Sequence, residues 1–196
     1  MRTNNAMPPI RTFISLPLPS DVQAKMAGIQ QTLKTSNADV KWEVAEKLHL
    51  TLKFLGNVEG GRLQKLTQIL KASLQTASAF DLVFQSLGCF PSLASPRIVW
   101  IGSEMKPELR DLSTRIEDAC HQLGFEREDR PFHPHVTLGR VKGSRNIRRL
   151  TESLKSLTLE PFQVRCREVC IMRSDLHPTG STYTLLTSIP LQLQPE

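Results

Sequence analysis

His49-Leu50-Thr51-Leu52-Lys53-Phe54-Leu55-Gly56 and Pro134-His135-Val136-Thr137-Leu138-Gly139-Arg140 contain the same tetrad: histidine, an apolar residue, threonine, leucine. It occurs once in each half of a 196-residue chain. Chance would supply about 0.02 copies in a chain of this composition, so the pair is no accident. Polar and apolar residues alternate through both stretches, the period of a strand with one face buried. Simple alternation puts His49, Thr51 and Lys53 on one face, and Leu50, Leu52 and Phe54 on the other, under helices. In the second copy it aligns His133, His135 and Thr137, with Val136 and Leu138 turned inward. A duplicated lobe would bring the two polar stripes together across a cleft.

Outward from the tetrads, short apolar runs alternate with amphipathic stretches. Strands are expected at 11–16, 39–44, 48–55, 80–91, 97–102, 131–141, 162–173 and 181–188. Helices are expected at 20–35, with Ser20 as N-cap, and at 60–77, 105–123 and 145–157. In the third helix Leu109, Leu112, Ile116, Ala119 and Leu123 recur at helical spacing. Hairpin-like strands mixed with helices indicate an α+β protein with antiparallel sheets, a single domain over 1–196 built of two similar lobes.

The composition is that of a globular chain, 39% hydrophobic and 22% charged. No apolar run approaches the ~20 residues that span a bilayer and no secretory leader is read, so a cytoplasmic location is expected. Cys89, Cys120, Cys166 and Cys170 lack metal spacing and are expected to be reduced and structural, with Cys166 and Cys170 in one strand. A formal charge of +6 favours polyanionic partners, although a basic soluble surface gives the same number. Neither a dinucleotide fingerprint nor a P-loop is present.

Two imidazoles and two hydroxyls facing one another suit phosphoryl chemistry. A protonated histidine donates to the leaving oxygen, a neutral one takes a proton from water, and the threonines donate to phosphate oxygens. Neither a metal nor a cofactor is needed for an activated ester. A zinc site from His49, His133 and His135 is the alternative, without carboxylate or thiolate ligands at suitable spacing. Spacing does not assign donor and acceptor. Arg140 falls opposite His135 unless Gly139 permits a bulge. Phe13, Trp42 and Trp100 read as core residues, with base stacking the other option. His121 and His177 carry no signal, and Arg145, Arg148 and Arg149 form either an RNA-facing or a solvated helix face.

With their surroundings, the tetrads resemble the 2H phosphoesterases, and more closely the RNA 2′,3′-cyclic phosphodiesterases, also called 2′-5′ RNA ligases. The likeness includes Arg11-Thr12-Phe13, Trp42, His49–Gly56, Phe90-Pro91, Pro96–Trp100, Pro134–Arg140 and Ser174–Tyr183. It implies two pseudo-twofold-related antiparallel sheets backed by helices, with a central cleft. It also implies His49 as proton donor, His135 as proton acceptor, and Thr51, Thr137 and Arg140 as phosphate-binding residues. The implied reaction opens RNA 2′,3′-cyclic phosphate ends, on RNA or tRNA fragments, to 2′-phosphates without a metal, in a monomer away from membranes. Reverse 2′-5′ ligation of tRNA halves is its companion. Lys47 stands where many relatives carry asparagine, which leaves a local loop contact open.

Overall fold

The structure is a computed structural model and describes residues 8–178 and 180–193. In chain order it contains β1 (Ile10–Pro17), α1 (Ser20–Lys34), β2 (Val40–Trp42), a 3-10 turn at Ala45–Lys47, β3 (His49–Val58) and α2 (Gly60–Leu74). These are followed by β4 (Phe80–Ser92), β5 (Ser95–Ser103), α3 (Pro107–Gln122), β6 (His135–Val141), α4 (Ile147–Ser156), β7 (Phe162–Cys166), β8 (Glu168–His177) and β9 (Gly180–Pro190). The strands form one strongly curled antiparallel sheet in the order β7-β4-β5-β6-β3-β1-β8-β9, with β2 added to β6. The order is symmetric about β6 and β3, so the two histidine strands lie side by side at the centre. Strand, helix, histidine strand, helix occurs twice, as β1-α1-β3-α2 and as β5-α3-β6-α4. The helix pairs follow the same symmetry, α2 packing on α3 and α1 on α4.

The two histidine strands meet at one register pair, Leu50 opposite Val136, and β2 of the first half adds three more pairs to β6. The Leu50 and Val136 side chains are fully buried, together with Leu52 and Leu138, beneath Leu66 and Leu70 of α2, Leu112 and Ile116 of α3 and Leu150 of α4. Burying each such side chain is worth ~1.5–3 kcal/mol, and the apolar stripes of the helices supply the cover.

Each histidine strand carries a bulge three residues after its histidine. On β3, Ser15 pairs with Thr51 but Ile14 pairs with Lys53, which skips Leu52. On β6, Trp100 pairs with Thr137 but Val99 pairs with Gly139, which skips Leu138. The burial patterns agree position by position: histidine half-buried, next residue buried, threonine half-buried, two buried, then one exposed. An inserted residue reverses strand alternation beyond it. Lys53 therefore leaves the polar stripe expected for it, and Phe54 comes onto the histidine face instead of lying under the helices. Lys53 is 3% exposed. Its ammonium donates to both Glu117 carboxylate oxygens, at 2.7 and 2.9 Å, and to the Glu126 carbonyl at 2.9 Å, using all three donors.

Other expectations shift locally. The run 162–173 breaks at Arg167: β7 pairs with β4 in one half, and β8 pairs with β1 in the other. Cys166 and Cys170 are thus on different strands, because the chain crosses between halves there. All four thiols are buried and free. Burial pushes Cys120 and Cys166 up to about 12 and Cys170 to about 11, so they stay protonated. Residues 131–134 are irregular, since β6 begins at His135. Pro19 occupies the N-cap of α1, and Ser20 is its first helical residue.

Lys53→Met strands the Glu117 carboxylate at a mostly buried site, and we expect a loss of about 3 kcal/mol in urea unfolding. The double variant Lys53→Met/Glu117→Leu is expected to recover more than half of it.

Candidate active site

His49 and His135 stand one residue before the pair that joins the histidine strands. Carried one residue either way, the antiparallel register sets His49 opposite Thr137 and Thr51 opposite His135. The four side chains share one half-buried face of the sheet. The backbone orients both rings alike. His49 Nδ1 lies 2.7 Å from the Lys47 carbonyl, and His135 Nδ1 lies 2.7 Å from the His133 carbonyl. A carbonyl only accepts, so Nδ1 holds the proton in each neutral ring and Nε2 is the unprotonated, basic atom. Thr51 Oγ1 donates to His49 Nε2 at 3.0 Å. The Lys47 contact runs through a carbonyl that any residue supplies, so the side chain at this position does not affect it.

Aromatic rings wedge both imidazoles in place. Phe13 stacks on His49 at 4.9 Å and Tyr183 meets it edge-on at 5.3 Å. Phe90 meets His135 edge-on at 5.0 Å. Burial is the first cause of a lowered pKa at His49, with the charge of His135 acting the same way and the carbonyl bond opposing. Burial also leads at His135, where the charges of His133 and Arg140 add to the lowering and its carbonyl bond opposes. Both rings are therefore biased toward the neutral form below the ordinary 6.5.

Arg140 lies on the histidine face because the bulge at Leu138 turns it there. Its Nε is 3.8 Å from Glu43 Oε1, and its side chain is half exposed. Glycine is required at 139: a Cβ there would come within 2.7 Å of Val40 Cγ1 and 3.0 Å of Trp42 Cε3. Trp42 packs against the core over this glycine, and Phe13 is buried. Trp100 lies flat against backbone, since a Cβ at Gly88 or Gly102 would collide with its indole. His133 is exposed outside β6, its ring 6.2 Å from that of His135 and 4.9 Å from Trp100. Among the described residues, no three His, Cys, Asp or Glu side chains gather to hold a metal ion. No described helix is long and apolar enough to cross a membrane. Arg148, on α4 in the helix layer, is paired with Glu152.

Sequence reasoning missed three contributors. Gln30 of α1 is 2% exposed, and its Nε2 donates to the carbonyls of Leu138 (2.7 Å) and Glu43 (2.9 Å). The Leu138 carbonyl at the bulge thus accepts twice, from Gln30 and from the Glu43 backbone N–H at 2.9 Å. The one available signal was a glutamine within the buried stripe Val22, Met26, Leu33 of an amphipathic helix. Glu43 and Tyr183 come from β2's end and β9, with no spacing relation to the tetrads. Burial first, then the Glu43 carboxylate, raises the Tyr183 hydroxyl, while Arg140 opposes.

The profile of the 2′-5′ RNA ligase superfamily matches residues 18–178. The chain belongs to this superfamily. It is 35% identical over 176 residues to an RNA 2′,3′-cyclic phosphodiesterase of Methanothermobacter thermautotrophicus, covering 89% of this chain and 95% of the relative. A protein of the same name from Archaeoglobus fulgidus is 32% identical over 175 residues, covering 89% and 96%. Among solved structures, E. coli LigT complexed with 3′-AMP superposes with a TM-score of 0.76 at 25% identity, covering 93% of this chain and 98% of that one. The superfamily membership agrees with the resemblance read from the paired tetrads.

The lowered histidine pKa values are measurable by NMR. Both Hε1 resonances are expected to titrate below pH 6.5, and His135→Asn is expected to raise the His49 pKa by removing a neighbouring positive charge.

Proposed function

We propose that this protein hydrolyses the 2′,3′-cyclic phosphate ends of RNA to 2′-phosphomonoesters, with His49 as acid and His135 as base and without a metal or other cofactor. The observation that carries the reading is the pair of imidazoles on one face, each with Nδ1 held by a backbone carbonyl and Nε2 left basic, in register with Thr51 and Thr137. The activity in the names of the two relatives supports the substrate class.

In this mechanism, neutral His135 removes a proton from water as its oxygen attacks phosphorus. Protonated His49 delivers its Nε2 proton to the departing O3′, which becomes the free 3′-hydroxyl. Thr51, Thr137 and Arg140 donate to the non-bridging oxygens, where negative charge grows. The positive charges of Arg140 and His133 beside His135 favour its neutral form and so suit it to the base role. One bilobal unit suffices, each half contributing one histidine, so a monomer acts alone. Replacing water by a 5′-hydroxyl would give a 2′-5′ linkage by the same proton movements, the ligation of tRNA halves. The aromatic group of Phe90, Trp100 and His133 next to His135 favours that second use.

Purified protein assayed with EDTA on RNA ending in a 2′,3′-cyclic phosphate should release 2′-phosphate ends. His49→Ala and His135→Ala should each lower kcat by ~10²–10⁴-fold. Undiminished turnover in either variant, or absence of a 2′-phosphate product from the parent protein, would refute the reading.

The pH profile follows from the lowered pKa values. Reaction needs one ring protonated and one neutral, and that population peaks between two apparent pKa values, both below 6.5. kcat/KM is expected to decline toward about tenfold per unit as pH rises above neutral, because it reports the free enzyme. An optimum above pH 8 would contradict this.

A further inference from the structure

Arg140 reaches the histidine face only because Leu138 is bulged, since an inserted residue reverses the alternation beyond it. The guanidinium does little to hold itself there. Its one ion-pair contact among the described residues, Nε to Glu43 Oε1, is 3.8 Å long, beyond hydrogen-bond reach. What is tightly fixed is the backbone that carries it. The Leu138 carbonyl accepts from Gln30 Nε2 at 2.7 Å and from the Glu43 backbone N–H at 2.9 Å. The same Gln30 nitrogen donates to the Glu43 carbonyl at 2.9 Å. One amide on α1 thus ties the bulge of β6 to the end of β2, and so to the residue whose carboxylate faces Arg140. Gln30 is 2% exposed, so water is a poor substitute donor. The bulge of β3 has its own anchor from a helix of the other half, Glu117 of α3 holding Lys53.

We infer that Gln30 is a positioning residue for the proposed reaction: its amide holds the β6 bulge in the form that aims Arg140 at the reacting phosphate. The inference rests on the proposed reaction and adds to it a group that never touches substrate. Two ladders compete at this point of β6. A regular one would put Arg140 behind the sheet, away from His135, and a bulged one puts it beside that ring. Gln30 donates to the carbonyl of the bulged residue itself, which favours the second. Misplacing a charge-stabilising group by ~1 Å costs up to about 10²-fold in rate. The guanidinium charge also bears on His135, so a shift of Arg140 leaves a second trace at that imidazole.

The test uses Gln30→Met, which fills similar space without donors. With enzyme in excess, the rate on RNA ending in a 2′,3′-cyclic phosphate is expected to fall roughly 10- to 10²-fold. In an Arg140→Ala background the same substitution should cost less than about twofold, in rate and in affinity for inorganic phosphate, because the group it positions is gone. By NMR the His135 Hε1 titration should move to higher pH in Gln30→Met, as in Arg140→Ala, since a positive charge leaves that ring. Leu154→Ala, a truncation in the helix α4 against which α1 packs, supplies loss of stability alone and should change neither the rate nor the titration. A parental rate in Gln30→Met, an undiminished penalty in the Arg140→Ala background, or an unmoved His135 titration overturns the inference. If Gln30→Met does not fold, Gln30→Asn, whose amide falls one methylene short of both carbonyls, takes its place with the same deciding outcomes. If the parent protein turns over no cyclic phosphate, the proposed reaction fails. The placement of Arg140 by Gln30 is then decided by the His135 titration and by phosphate affinity, which Gln30→Met and Arg140→Ala should weaken alike.

Discussion

The junction between the two halves of the sheet pairs Leu50 with Val136 and adds β2 of the first half to β6 of the second. Everything at the open face depends on it. A sheet edge is a row of unsatisfied backbone groups, and each half brings its histidine strand to that edge. Joining them removes both edges and sets the tetrads side by side. Because the joining residues directly follow the histidines, the imidazoles are held at the junction itself. A slip of one residue would turn both stripes over and expose the leucines, so burial of the apolar positions and alignment of the polar ones enforce the same register.

The histidine strands themselves share a single register pair, and buried polar contacts reinforce the junction from behind. Lys53 reaches from β3 to α3, and Gln30 reaches from α1 to the bulge in β6. Each crosses from one half to the other. Both would be costly if left without partners, and every donor of the Lys53 ammonium and the Gln30 amide nitrogen has one. Each also acts at a bulge: Lys53 is turned inward by the first, and Gln30 donates to the carbonyl of the bulged residue, Leu138, at the second. The bulges that set the cleft face thus also furnish the contacts that lock the halves together.

Much of this was legible in the sequence, for identifiable reasons. Strand alternation around His49 and His135 and the helical stripe from Leu109 to Ala119 are local periodicities, so element types and the α+β class followed. The tetrads themselves announced the duplication. Alternation failed three residues past each histidine, because a bulge has no compositional mark when leucine precedes lysine or glycine. Lys53 and Phe54 were consequently put on the wrong faces, whereas Gly139 left Arg140's side open. The crossing at Arg167 was hidden inside an unbroken strand-like run. Gln30, Glu43 and Tyr183 come together through long-range packing, which a single chain read in order does not display.

The duplication is most informative where its copies diverge. Two identical halves would present matched imidazoles in matched surroundings, with nothing to choose which gives a proton and which takes one. The divergence falls at the two positions beyond each bulge. The first half has Lys53 and Phe54; the second has Gly139 and Arg140. Lysine turned inward takes its ammonium off the face near His49, and phenylalanine adds an apolar surface there. Glycine turned inward makes room for Val40 and Trp42, and the arginine that follows brings a positive charge to His135. Phe54 thus stands at the His49 end of the face and Arg140 at the His135 end. In the proposed reaction such an electrostatic difference across the pseudo-twofold axis would set the direction of proton movement, and here it arises from substitutions at two equivalent strand positions while the paired tetrads stay alike.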